Sequence, residues 1–206
     1  GSFGVQLCAV TGANAIGVVG SDDKKEHVLS LGAKGVLNRK DFNCWGQLPT
    51  VNGPEFNDYM KESRKFGKAI WELTDKKDVD IVFEHPGEST FPVSVFVVKR
   101  GGMVVICAGT TGFNLTMDAR FLWMRQKRVQ GSHFANLKQA SAANQLVINR
   151  RIDPGMSEVF PWEDIPAAHD KMLDNKHLPG NMAVLVTSPK PGLRTVEDVL
   201  AVNGQA

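Results

Sequence analysis

Two histidines stand where an apolar run stops. Glu84-His85-Pro86-Gly87 closes the run Ile81-Val82-Phe83, and His133 follows Gly131-Ser132. An imidazole at a strand end can move a proton near neutral pH or hold a small polar molecule by a hydrogen bond. A lone histidine is as readily structural, so both readings stand for His85. His27, His169 and His177 read as helix-surface or loop residues. A second group of residues suits phosphate. Gly1-Ser2-Phe3-Gly4 directly precedes a helical stretch, like the end of a glycine-rich phosphate loop; the competing reading makes Gly1-Ser2 a cloning remnant. Ser21 and Lys24 follow one short apolar run and Arg39 ends the next. A hydroxyl and two cations there suit a ribose 2′-phosphate, where an acid would suit free ribose hydroxyls. Asp22 and Asp23 fit that reading only if they turn away as helix caps. Taken alone, Lys24 reads as a solvated surface lysine.

Other chemistries find no support. No His-x-x-x-His pair or Cys/His cluster points to zinc, so no metal site is expected. No G-x-S-x-G elbow points to a hydrolase, and Ser89 and Thr90 read as helix caps. The three cysteines, Cys8, Cys44 and Cys107, are widely spaced and form no disulfide framework, which fits a reducing cytoplasm. A net charge of +2 from 24 basic and 22 acidic residues gives no electrostatic reason for a nucleic-acid or membrane-surface partner. No apolar run approaches the roughly 20 residues of a membrane span, and no signal peptide is apparent.

These residues must be carried by alternating elements. Residues 1–13 read as a helix, 15–19 as a strand buried on both faces, and 24–31 as a helix stopped by Gly32. Gly35–Asn38 reads as a strand, and 40–58 as a long irregular loop of the kind that is functional or mobile. A helix over 59–73, a strand over 80–85, a helix over 91–98 and a strand over 103–108 follow. Then come a Gly/Thr loop at 109–112, a helix over 118–127, a strand over 128–132 and a helix over 136–149. This alternation predicts an α/β fold with a Rossmann-like doubly wound parallel sheet, its ligand at the carboxyl ends of the strands. The sheet would lack its first strand and most of the phosphate loop. After Arg151, an extended stretch at 157–160, a helix at 164–174 and a strand at 182–186 would belong to a different sheet.

At four motifs the chain resembles a known family. Val82-Phe83-Glu84-His85-Pro86-Gly87, Cys107-Ala108-Gly109-Thr110-Thr111-Gly112, Phe121-Leu122-Trp123-Met124 and Gly131-Ser132-His133-Phe134-Ala135-Asn136, in that order, closely resemble the crotonyl-CoA carboxylase/reductases. These form a family of the medium-chain dehydrogenase/reductase superfamily. The resemblance runs from the glycine loop to about Leu200 and includes the long 40–58 insertion. It implies that hydride from NADPH reaches the β-carbon of an enoyl-CoA, and that the α-carbon of the resulting enolate attacks CO2. The product would be an alkylmalonyl-CoA such as ethylmalonyl-CoA. Without CO2 a proton is added and the saturated acyl-CoA forms. A dry, polar pocket must hold CO2 beside the enolate.

The family's CO2-holding histidine maps onto His85, with Glu84 beside it as a catalytic candidate. Cofactor contacts map onto Gly1, Gly4, Ser21, Lys24, Arg39, Cys107, Ala108, Gly109, His133 and Phe134. Ser132 to Asn136 would lie near the nicotinamide or at a subunit contact. Glu88 stands where the family is usually basic, Pro92 where glycine is common, and Gly109 where a serine is usual; these departures bear on substrate range. The family further implies a zinc-independent cytoplasmic homo-oligomer, a tetramer. Residues 1–150 would be a partial NADP-binding Rossmann domain. Residues 151–206 would return to a GroES-like catalytic domain whose larger N-terminal part is missing. The isolated 206-residue chain should then be inactive. Two other readings compete: an enoyl-CoA or quinone reductase that does not carboxylate, and a non-catalytic nucleotide-binding or oligomerisation fragment.

Overall fold

The computed structural model describes residues 1–174, 176–186, 188–191 and 201. Contacts divide the chain into two compact units, Phe3–Ala143 and Asn144–Ala206, with Gly1 grouped with the first and Ser2 with the second. In the first unit the order is α1 (Ser2–Thr11), β1 (Ile16–Val19), α2 (Lys25–Ser30), β2 (Gly35–Asn38), α3 (Phe56–Leu73), β3 (Val79–Glu84), α4 (Phe91–Val97), β4 (Val98–Ile106), α5 (Ala119–Trp123) and β5 (Arg128–Gly131). α6 (Leu137–Ile148) runs across the division. The second unit holds β6 (Met156–Pro161), α7 (Ile165–Leu173) and β7 (Asn181–Leu185). Among the described residues no helix is long and apolar enough to cross a membrane.

All the pairings in the first unit are parallel, but they form two ladders: β1 with β2, and β3-β4-β5. The sheet expected as one is therefore divided, and β1 and β3 each keep an edge with no partner among the described residues. The expectation that the 15–19 strand is buried on both faces fails, and β3 is open on one side too. Val18 is 49% exposed, Ile81 62% and Phe83 64%, because nothing described covers that side. β6 and β7 pair with each other in a third, separate sheet, as the change of pattern after Arg151 suggested.

The core explains two further differences. α3 begins at Phe56, three residues earlier than its polar period indicates, because Phe56, Tyr59 and Met60 are already buried. The 40–58 loop is not a loose excursion. Its Phe42 and Cys44 are buried in one cluster with Phe66 and Ile70 of α3, and the Phe42 and Trp45 rings meet the Phe66 ring edge-on at 5.1 and 5.2 Å. Burial pushes the Cys44 thiol up to about 12, so it is an inert core group. A second cluster, Phe91, Val95, Val98 and Val104, packs α4 onto β4. β4 also starts earlier than Met103, since Val98 pairs with Val79 before the register shifts.

Candidate functional site

The turn after β3 is tied to α4 by Glu84, the last residue of β3. Strand alternation sends its side chain inward and the next one outward. Glu84 is 2% exposed. Its Oε1 accepts the Gly87 N–H at 3.0 Å and the Thr90 hydroxyl at 2.5 Å, and its Oε2 accepts the Ser94 hydroxyl. The carboxylate is thus enclosed beneath the turn. It positions the turn, so any part Glu84 plays beside His85 would be exerted through that turn. Thr90 stands at the N-cap of α4, yet its hydroxyl serves Glu84 and not a helix N–H, so it is no side-chain cap.

Gly87 is required at its position. Its φ is +88°, and a Cβ there would lie 2.8 Å from both the Gly109 Cα and the Gly112 carbonyl oxygen. That approach lets the two strand-end loops interlock. Thr111 donates to the Pro86 carbonyl through its N–H and its hydroxyl, both at 2.8 Å, and the hydroxyl accepts the Ser89 N–H at 3.0 Å. The Cys107 N–H bonds the Glu84 carbonyl at 3.2 Å. On this platform His85 is exposed, with no hydrogen bond or ion pair among the described residues. Cys107 is exposed as well, while Ala108 and Gly109 are partly buried.

Residues 39–48 form a strap from the end of β2 to this platform. The Trp45 indole donates to the Arg39 carbonyl at 2.7 Å, the Gly46 N–H to the Ser89 carbonyl at 2.6 Å, and the Leu48 N–H to the Thr116 hydroxyl at 3.0 Å. Gln47 donates to the Glu88 carboxylate, which lies against Gly112. Sequence reasoning missed Trp45, Gln47 and Thr111 as site-building residues. Gln47 and Glu88 are 41 positions apart, and no period or motif links them.

At the ends of β1 and β2 the structure brings Ser21, Lys24 and Arg39 to adjacent turns. The Arg39 guanidinium lies over Gly20, with Nε 3.5 Å from where a Cβ would stand. Lys24 and Arg39 are exposed, and the Ser21 hydroxyl makes no hydrogen bond among the described residues. Asp22 is held by Lys25 Nζ at 2.7 Å and Asn38 Nδ2 at 3.0 Å. The Lys25 bond first, and then Asn38, keep its pKa below the ordinary carboxylate value. It is therefore a paired group, not the helix cap that was expected, and its charge is answered locally. Two cations and a hydroxyl without a partner among the described residues suit a 2′-phosphate, with Asp22 paired and Asp23 left exposed beside them.

Gly1 and Gly4 sit at the N-terminus of α1, Gly1 as its N-cap, and neither has an atom within 4 Å of where its Cβ would be. The described contacts do not tie them to the platform. His133 and Phe134 follow β5 and are exposed, their ring centroids 3.8 Å apart, with Phe134 90% exposed at φ +53°. Among the described residues no three His, Cys, Asp or Glu side chains converge where a metal could bind.

The zinc-binding dehydrogenase family matches residues 1–149. A crotonyl-CoA carboxylase/reductase of Cereibacter sphaeroides is 69% identical over 207 residues, covering all of this chain and 48% of the relative. A solved crotonyl-CoA carboxylase/reductase superposes with a TM-score of 0.93 at 72% identity, over 98% of this chain and 47% of that one. The solved crotonyl-CoA carboxylase/reductase AntE, in complex with NADP, superposes with a TM-score of 0.88 at 42% identity, over 92% of this chain and 47% of that one. The chain spans about half the length of the curated relatives that it matches.

Proposed function

Because this chain belongs to the zinc-binding dehydrogenase family, we propose that it is the cofactor-binding portion of an NADPH-dependent enoyl-CoA carboxylase/reductase, acting on crotonyl-CoA and CO2 to give ethylmalonyl-CoA. The observation that carries this reading is the platform after β3, where an enclosed Glu84 fixes the turn that presents an unpartnered His85. A carboxylating enzyme must hold a small, weakly polar molecule on one face of an enolate and keep water away from it. An imidazole on a rigid turn can supply that hydrogen bond, directly or through a water. A plain reductase has no need of it.

Bound at this site, NADPH supplies the hydride. The chain's own residues divide the remaining work. Ser21, Lys24 and Arg39 hold the 2′-phosphate. Gly1 and Gly4 place the N-terminus of α1 toward the pyrophosphate, with a favourable helix dipole. Cys107, Ala108 and Gly109 form the wall beside the nicotinamide ribose, and His133 and Phe134 lie toward the nicotinamide. Glu84 acts through His85 by holding its turn. The zinc of the family name has no residue set among the described residues, and no step is routed through it. The same reading takes residues 1–150 as the cofactor domain and 151–206 as part of the catalytic domain. It makes the protein a zinc-independent cytoplasmic homotetramer, and the 206-residue chain alone inactive.

The test uses the full-length protein with crotonyl-CoA and NADPH, with and without bicarbonate, and weighs the product. The expected product is heavier by one CO2, and His85→Asn should lose that mass while still oxidising NADPH. Saturated acyl-CoA alone under saturating bicarbonate would reduce the protein to a plain reductase. On the cofactor side, Arg39→Ala should raise the NADPH KM by roughly tenfold or more while leaving NADH use unchanged. Equal losses with both cofactors would remove Arg39 from the 2′-phosphate site.

A further inference from the structure

A cleft of about 520 Å³ opens at the amino ends of β3, β4 and β5, the end of that ladder opposite the platform. Its cationic lining comes from three elements: Arg64 and Lys68 from α3, Arg100 from β4, and Arg125 and Lys127 from the turn between α5 and β5. Asp78 is the one carboxylate among the lining residues, and it already accepts the Trp71 indole N–H at 2.5 Å. None of the four side chains Arg64, Lys68, Arg100 and Arg125 has an ion-pair partner among the described residues, and all four are exposed.

Lys127 is the innermost cation. Its ammonium donates to the carbonyls of Val95 at 2.8 Å and Phe96 at 2.9 Å, at the end of α4, and so keeps one N–H to give. Burial first, and then the Arg125 charge, push its pKa down to about 8. Such a cluster is self-repelling and focuses a positive potential into a concave surface, which is the condition for multivalent anion binding. Apart from Asp78, the rest of the lining is apolar. Trp71 is 44% exposed, and Phe96 and Phe121 meet edge-on at 5.1 Å. Stacking surface beside unneutralised guanidinium groups suits a ligand that carries a ring and more than one phosphate.

We propose that this cleft is a second nucleotide site, separate from the cofactor site, which takes a nucleotide bearing at least two phosphates. The cations grip the phosphates and Trp71 packs against the base. The assignment rests on this lining and goes beyond the proposed reaction.

The test titrates ADP into the full-length protein held in saturating NADPH, so that the cofactor site is filled, and reads heat and tryptophan fluorescence. One ADP per chain should bind, with an affinity that falls as salt is raised. Arg100→Ser with Arg125→Ser, both at exposed positions, should weaken ADP at least tenfold while the NADPH KM is unchanged. Trp71→Ala should weaken ADP but leave inorganic pyrophosphate as it was. No saturable ADP binding in the presence of NADPH would overturn the proposal. So would an affinity that the double arginine variant leaves intact. Equal losses of ADP and pyrophosphate in Trp71→Ala would remove the nucleotide specificity.

Discussion

The loops after β3 and β5 start from the same ladder, and each carries a histidine at its strand end, His85 or His133. They are built in opposite ways. The first is fixed by a 2%-exposed carboxylate with three hydrogen-bond donors and by a glycine pressed against a second loop. In the second, residues 131–137 are all exposed, and the His133 and Phe134 rings lean on each other. Both loops lie at the carboxyl end of a strand. The β5 loop is held by surface hydrogen bonds, Ser132 N–H to the Ile106 carbonyl at 2.8 Å and the reciprocal Asn136–Gln139 pair, whereas the β3 loop is built on a buried charge that forces its surroundings to satisfy it.

That contrast can be broken by substitution, and the largest effect belongs to Gly87. Gly87→Ala puts a Cβ into a 2.8 Å contact with backbone on two sides at φ +88°. It should cost about 3 kcal/mol by urea unfolding, and a loss under 0.5 kcal/mol would show that the loops are not interlocked. Glu84→Gln keeps the shape but replaces a charged acceptor, turning one oxygen into an NH2 that faces donors. It should cost about 2 kcal/mol and slow carboxylation without changing the NADPH KM. Unchanged stability would mean that the carboxylate is not the anchor.

A smaller effect separates the half-buried Lys127 from the platform. The pKa of Lys127 is about 8 in the fold against 10.5 for the free side chain. Between these values the unfolded chain holds the proton and the folded chain has released it, so stability rises with pH over that window. The buried Cys44 and Tyr59, both pushed up to about 12 from 9.0 and 10.0, act in the opposite direction above pH 9. The clean interval is therefore pH 8 to 9. There the stability of the parent protein should climb relative to Lys127→Met, and parallel profiles would place this proton elsewhere. The smallest effect is expected at the β5 loop. Phe134→Ser removes a ring that is 90% exposed and should change stability by less than about 0.5 kcal/mol. A large loss would show that the β5 loop is anchored after all.

Much of this was legible before any coordinates. Short apolar runs between amphipathic stretches determined the alternating parallel architecture, since period and strand length are local properties. The strand β2 lies at Gly35–Asn38 as read, and the separate sheet after Arg151 was announced by the change in pattern. The sequence also singled out His85, Ser21, Lys24 and Arg39 as residues able to hold small polar molecules or phosphate. It could not say that Glu84 faces inward and acts on the turn. It could not say that Asp22 is answered by Lys25 and Asn38, or that the 40–58 segment is a packed strap. Nor could it place Arg100 and Arg125 beside Arg64 around one cleft. Those facts depend on which distant groups meet. Burial, charge neutralisation and close backbone approach are properties of pairs far apart in the chain, and only the tertiary structure brings such pairs together.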